Sequence, residues 1–427
     1  MTRLKKLIFL TFIIIISVSL SGCWDYQEIG EIAYVQALGI DRGKENKLTI
    51  TAQIAVPGKL QSGSGDTSQG KGNPFEVVSV ESPSVMASLN LMNTFVNRRI
   101  SLKHTRIIII SEDFARDGTL PYLEVISRLP QVRRSIMIGV SKGISAKELL
   151  EKNQPVFEIT PSKYIDMAAE MSQYTGFSPF EPQFLFFYNA ARSLGADPVA
   201  PLLSVKRKTP QGEGKTIDPQ GWISEGSYRA GEIPRSGGNE VEIMGAALFR
   251  GNKLVGDIDG DEMTALAILR NTFHQAYFSL PDPMNPERIT SVNLFQKQGA
   301  NFEFDLTNPT PKVKIQVFLK GDVLGIQTHA NYEDPQYRNI LENGIAEKMK
   351  SDIVKLLQHT QSLGVDPAWI GEKAKMHFLT DKEWEDYNWK SVYPKAEIEV
   401  DVKADLKHFG LIRENSPFPS PTAELAR

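Results

Sequence analysis

The chain has 427 residues, 41% of them hydrophobic and 23% charged, with a formal net charge of −3 at pH 7. That length suits two or three globular domains. The mild acidity argues against a nucleic-acid partner, which requires clustered positive charge. The single cysteine excludes a disulfide framework.

Residues 1–22 read as a signal peptide. Arg3, Lys5 and Lys6 form a basic start, "LIFLTFIIIISVSL" from Leu7 to Leu20 is an apolar run of 14 residues, and Ser21 and Gly22 are small residues at the cut. A spanning helix needs about 20 apolar residues, so this run is short for a membrane anchor. Leu20, Ser21, Gly22 and Cys23 have the form of a lipobox. They resemble the lipid-attachment sequence of bacterial lipoproteins. The resemblance implies a diacylglycerol on the Cys23 sulfur, cleavage before Cys23, and an acyl chain such as palmitate on the new amino group. Two acyl chains hold a protein stably where one holds it marginally. Cleavage there removes three cations and no acid, moving the formal charge from −3 to −6. It also leaves the one thiol occupied, so neither a cysteine nucleophile nor a cysteine metal site is expected.

Residues 23–32 form a short tether, at most ~35 Å for ten residues. "AYVQALGI" from Ala33 reads as a buried strand and "LTITAQIAV" from Leu48 as its hairpin partner. Residues 57–74, rich in Gly and Ser, read as a mobile loop, and Phe75–Val80 as a strand. Ser82 and Pro83 are expected to open a helix with Met86, Leu89, Met92 and Val96 on its apolar face. "RIIII" from Arg106 and "SIMIGVS" from Ser135 read as buried strands, and Ser145 with Glu148 as a capping box. Helices follow near 162–172 and 182–193. The region 33–205 is therefore mixed α/β, in one domain or two.

Residues 206–240, polar and full of Gly and Pro, read as a linker or irregular crossing at a domain border, although Trp222 and Tyr228 suggest that some of it packs down. Residues 241–410 read as a C-terminal α/β domain. It starts with a hairpin turning at Gly251-Asn252 and a helix "DEMTALAILRN". Strands follow at 291–306 and 312–320, the latter alternating through Val313, Ile315, Val317 and Leu319. A long helix over 336–363 places Leu341, Ile345, Met349, Ile353 and Leu356 on one face and stops at Gly364. "AEIEVDVKADLK" alternates through Ile398, Val400, Val402, Ala404 and Leu406, which calls for a sheet with one wet face and helices on the other. Residues 411–427 read as a flexible tail. The expected class is α+β, multi-domain, with mixed or antiparallel sheets each covered by helices.

Chemistry-bearing patterns are few. "GDTSQGKG" at 65–72 has phosphate-loop spacing but ends in Gly72, where a hydroxyl is needed for magnesium. "GEGKT" at 212–216 lacks the upstream glycine. The six histidines are scattered with no metal-ligand spacing. Asp257, Asp259, Asp261 and Glu262 cluster, but Gly260 breaks a calcium-loop order, and acids at a helix start serve as caps. "NRRI" at 97–100 with His104 and Arg106 makes a small basic patch, read as dipole-complementing charge or a contact with anionic lipid or an acidic partner. Trp384 and Tyr387 read as core packing, with a partner-facing aromatic patch as the alternative. Neither a catalytic, metal nor cofactor site is expected.

Several blocks together resemble one family, the Ger(x)C lipoproteins that form the C subunits of spore germination receptors. They are "GCWDYQEIGEIAYVQALGID" (22–41), "NRRISLKHTRIIIIS" (97–111), "GAALFRGNKLVGDID" (245–259), "LGVDPAWIGEKAK" (363–375) and "WEDYNWKSVYPKAEIEVDVKADLKHFG" (384–410). The pattern departs after Leu324-Gly325, where "IQTHANYEDPQ" intervenes. The resemblance implies three mixed α/β domains in a non-enzymatic subunit without cofactors, lipid-anchored through Cys23 to the outer face of the spore inner membrane. It also implies multi-pass A and B subunits as partners. A solute-binding lipoprotein of a membrane transporter is the alternative, expected to show two similar doubly wound lobes.

Overall fold

The computed structural model describes residues 2–19, 28–56, 74–155, 158, 160–179, 183–206, 223–328 and 330–409. The lipobox Leu20–Cys23, the loop 57–73, both phosphate-loop-like stretches, Trp222 and the tail 411–427 lie outside these. Helix α1 (Thr2–Ser19) carries the apolar run. Among the described residues no helix is long and apolar enough to cross a membrane.

Strand β1 (Ile32–Arg42) turns back into β2 (Leu48–Ala55), which pairs with β3 (Phe75–Ser82). Helix α2 (Val85–Met92) follows, and it starts later than the sequence suggests. Ser82 still belongs to β3, so Ser84 is the cap, accepting from the Ala87 N–H at 3.2 Å. The buried face is accordingly Val85, Leu89 and Met92, while Met86 is 46% exposed. Next come β4 (Arg99–Ser101), β5 (Ile107–Ser111), α3 (Glu112–Asp117), α4 (Leu120–Ser127), β6 (Met137–Ser141) and α5 (Ala146–Lys152). Ser145 caps α5 by accepting the Glu148 N–H at 3.0 Å, but Glu148 does not return the bond and pairs with Lys152 instead. Then follow α6 (Pro161–Thr175), α7 (Phe184–Ala190), β7 (Val199–Val205), β8 (Val241–Arg250) and β9 (Lys253–Ile258).

These strands form one nine-stranded sheet in the order β3-β2-β1-β5-β6-β7-β8-β9, with β4 beside the start of β1. The central strands β1, β5, β6 and β7 are parallel and the flanks antiparallel. Parallel strands are covered on both faces, which is why β5 and β6 are buried throughout. Ile108 and Ile110 pack with α2, α3, α4 and α7 on one face. Ile107 and Ile109 pack with α5 and α6 on the other.

The stretch 206–240 does not lie between separate sheets: β7 and β8, which flank it, are antiparallel neighbours. Lys206 N–H donates to the Glu240 carbonyl at 2.8 Å, closing the excursion at its neck. Its described portion packs down. Ala230 is buried and donates to Met244, the hydroxyls of Ser224 and Ser227 donate to Asp261, and Arg235 pairs with Glu242 at 2.7 Å. The strands β8 and β9, grouped by sequence with the C-terminal half, thus complete the first sheet.

Helix α8 (Gly260–Arg270) begins with a full capping box between Asp259 and Glu262. A second, five-stranded sheet follows. It comprises β10 (Gln275–Asp282), which the sequence pattern does not reveal, β11 (Asn285–Phe295), β12 (Asn301–Asp305), β13 (Lys312–Ile326) and, after the helices, β14 (Glu397–His408). The 29-residue helix α9 (Pro335–Leu363) lies on it, with Leu341, Ile345, Met349, Ile353 and Leu356 buried as their spacing predicts. Gly364 ends the helix at φ +63°. Val313, Ile315, Val317 and Leu319 of β13 face this core, and the opposite face stays half-exposed. β14 runs parallel to β13, not antiparallel as its alternation suggests, because the α9–α12 crossover returns it in the same direction. The last helices are α10 (Ile370–Ala374), α11 (Asp381–Tyr387) and α12 (Trp389–Val392). Trp384 and Trp389 are core residues stacked at 6.2 Å. The fold is α+β with two mixed sheets. A five-stranded sheet with one wet face is not the second doubly wound lobe of the solute-binding alternative.

Candidate functional site: a basic sheet end and a charged seam

The described chain resumes at Glu28, makes one turn at Ile29–Glu31 and enters β1 at Ile32. β4 lies parallel to those first residues, pairing Ile32 with Arg99, Ala33 with Ile100 and Tyr34 with Ser101. The basic patch noted in the sequence therefore sits where the tether enters the fold. Arg98, Arg99, Lys103, Arg133 and Arg134 are all exposed there, and Phe95 is 50% exposed. His104 packs edge-on against Tyr34 at 4.5 Å. Burial, then the charges of Arg133, Arg106 and Lys103, hold its imidazole below the ordinary value. Arg106 is spoken for by Asp166. What the arrangement offers is exposed positive charge with an apolar fringe, suited to an anionic surface.

The acidic cluster at 257–262 is divided among caps and ion pairs. Asp259 caps α8, Asp257 takes Lys142 and Arg229, and Glu262 meets His359 Nδ1 at 2.7 Å. The hydrogen bond to Glu262 raises the His359 value. Among the described residues no group of three or more His, Cys, Asp or Glu side chains is placed to hold a metal.

A second cluster, which sequence reasoning missed, ties the nine-stranded sheet to the C-terminal helices. Asp197, just before β7, is buried. It accepts the N–H groups of Gly251 and Asp366, both at 3.0 Å, and the Lys390 ammonium at 2.9 Å. Its own N–H and carbonyl bind the Asp366 carbonyl and Trp369 Nε1. Asp366, also buried, accepts Ile370 N–H at 3.1 Å, Gly371 N–H at 2.7 Å and Trp389 Nε1 at 2.9 Å. Burial outweighs these bonds and pushes its carboxyl up to about 6. Gly195 and Gly371 let the two backbones touch, since a Cβ on Gly371 would lie 2.6 Å from the Gly195 carbonyl oxygen. Nothing in the sequence joins residues 169 positions apart, and the one local sign is Asp366 standing before a proline at a helix stop.

Comparison with known proteins finds a family match for each half of the chain. The family described as "Spore germination protein N-terminal domain" matches residues 25–205. The one described as "Spore germination B3/GerAC like, C-terminal" matches residues 244–410. The chain belongs to the Ger(x)C spore germination family. Relatives include "Putative spore germination protein YfkR" of Bacillus subtilis (strain 168), 28% identical across 93% of this chain and 96% of that one. "Spore germination protein KC" of the same organism is 21% identical across 97% and 98%. "Spore germination protein GerQC" of Bacillus cereus is 20% identical across 92% and 96%. Among solved structures, the crystal structure of the GerBC protein aligns with 90% of this chain and 99% of its own at 16% identity, with a TM-score of 0.47. In Ger(x)C terms the basic sheet end lies in the N-terminal domain, and the seam joins that domain's last strand to the C-terminal one.

Proposed function

We propose that this chain is the lipid-anchored, non-enzymatic C subunit of a nutrient germinant receptor, acting in receptor assembly or signal relay during spore germination. The observation that carries the reading is the presence of both family domains in one chain, end to end. Cys23 is the anchor. It stands nine residues before β1, a reach of about 30 Å when extended, which would bring the exposed arginines beside β1 close to lipid headgroups. The location is the outer face of the spore inner membrane, and the partners are multi-pass A and B subunits. Tethering beside such partners raises their effective concentration, so that individual contacts need not be strong. The working division is the anchor and tether 23–32, an N-terminal region from 33 to 205, the excursion 206–240 and a C-terminal domain from 241 to 410, whose first two strands, β8 and β9, complete the N-terminal sheet. The buried carboxylates Asp197 and Asp366 would make the two regions respond as one body.

The test is Cys23→Ala in a sporulating host. The expected result is loss of the protein from the inner-membrane fraction together with a weakened nutrient response, and loss of crosslinks to multi-pass neighbours. Retention in the membrane with unchanged germination would overturn the reading.

A further inference from the structure

Beside the seam lies a cavity of about 320 Å³, bounded by α7, the end of α8 and the start of α10. That is within the size range of small-molecule sites. Phe186, Phe187, Ala190 and Val199 give the lining an apolar part, and Arg270 and Lys373 also line it.

The two cations are incompletely used. Arg270 donates from Nε to the Pro367 carbonyl at 2.6 Å and lays its guanidinium over the Trp369 ring at 4.4 Å. Its Nη2 is shut off from solvent and has no hydrogen-bond partner among the described residues. A buried donor left unmade is costly, and more so on a charged group. Lys373 gives a single long bond to the Leu269 carbonyl at 3.3 Å and rests 3.9 Å from the centre of the Phe302 ring. Burial lowers Arg270 to about 9 and Lys373 to about 8. Both cations feel the charge of Asp366, but among the described residues no carboxylate is hydrogen-bonded to either: Asp366 is held by three N–H donors, Asp197 pairs with Lys390, and Glu372, also in the wall, accepts the Ser193 hydroxyl. A guanidinium and an ammonium lining one cavity are a pair suited to a carboxylate. Phe186 is 49% exposed at the apolar wall, a ring that an occupant would cover.

We propose that this cavity binds a small carboxylate with a compact hydrocarbon body, its carboxylate held by Arg270 and Lys373 and its hydrocarbon lying against Phe186, Phe187 and Val199. The walls come from both sides of the seam, so the occupant stabilises the contact between them. The assignment is independent of the anchoring and receptor reading, because it is tested on the isolated protein.

The experiment is calorimetric titration of the purified full-length chain in detergent with isovalerate, isovaleramide and isopentylamine, each corrected for titration into empty micelles. Isovalerate is expected to bind saturably, roughly tenfold or more tighter than the amide, with no binding of the amine. Arg270→Gln and Lys373→Gln should each weaken isovalerate by about tenfold, and Phe186→Ala by a few-fold, without lowering the melting temperature of the last. Should Arg270→Gln fail to fold, Lys373→Gln and Phe186→Ala decide. No saturable binding of isovalerate, affinity equal to the amide, or full affinity in the folded charge variants would each overturn the assignment.

Discussion

Asp366→Asn should change how stability depends on pH, and the size of the change follows from the carboxyl's surroundings. Burial lifts Asp366 from the ordinary 3.8 to about 6. The folded protein therefore takes up a proton at a pH where the unfolded chain does not. The resulting stabilisation is complete below 3.8 and is lost as the pH rises through about 6. Integrated between pH 7.5 and 4.5, the two values give about 2 kcal/mol in favour of the native state at the acid end. Asparagine has no such proton. Its misplaced NH2 facing the Ile370 or Gly371 N–H is a cost that is the same at both pH values. The wild-type protein should gain about 2 kcal/mol on the variant between pH 7.5 and 4.5. Urea denaturation followed by tryptophan fluorescence reads this from the midpoints, since Trp389 donates to the same carboxylate. A difference between the wild type and the variant that stays constant over that range refutes the reasoning.

Ile353, wholly buried at the centre of the α9 face, should cost about 2–5 kcal/mol on truncation to Ala, seen as a lowered urea midpoint. Gly371→Ala should cost about 1–3 kcal/mol through overpacking, because its Cβ would fall 2.4 Å from Trp389 Cδ1. Gly325→Ala, whose Cβ meets only Ser291 at 4.0 Å, should stay within about 0.5 kcal/mol. His359 should titrate above 6.5 by NMR because Glu262 accepts from its ring. The pair's stabilisation is then full below 6.5 and fades as the pH rises through the raised value, so His359→Gln should cost most in mild acid and least near pH 9.

What the sequence reveals about this fold is what local periodicity can carry. α9 and β14 are legible because one face of each meets a core and the other meets water, so the alternation is written into neighbouring residues. β5 and β6 are legible as buried strands because helices cover both their faces. β10 is not, although Ala276, Phe278 and Leu280 alternate inward, because Pro281 and Pro283 punctuate the run as if it were a turn. The stretch 223–240 looks like a linker because its polar residues have no periodicity. Their partners, Glu242 and Asp261, come from later elements and supply the acceptors that an excursion between two neighbouring strands requires. The cavity and seam are the extreme case. Arg270 is the last residue of α8, where a cation is fully explained by the helix dipole, and Lys373 and Glu372 pass as the solvated face of a short helix. Their shared use appears only when Pro367, Trp369 and α7 arrive from elsewhere in the chain. A lone charge in sequence thus carries no sign of its desolvation, and it is desolvation that separates Arg270 and Asp366 from the many charged residues that merely face water.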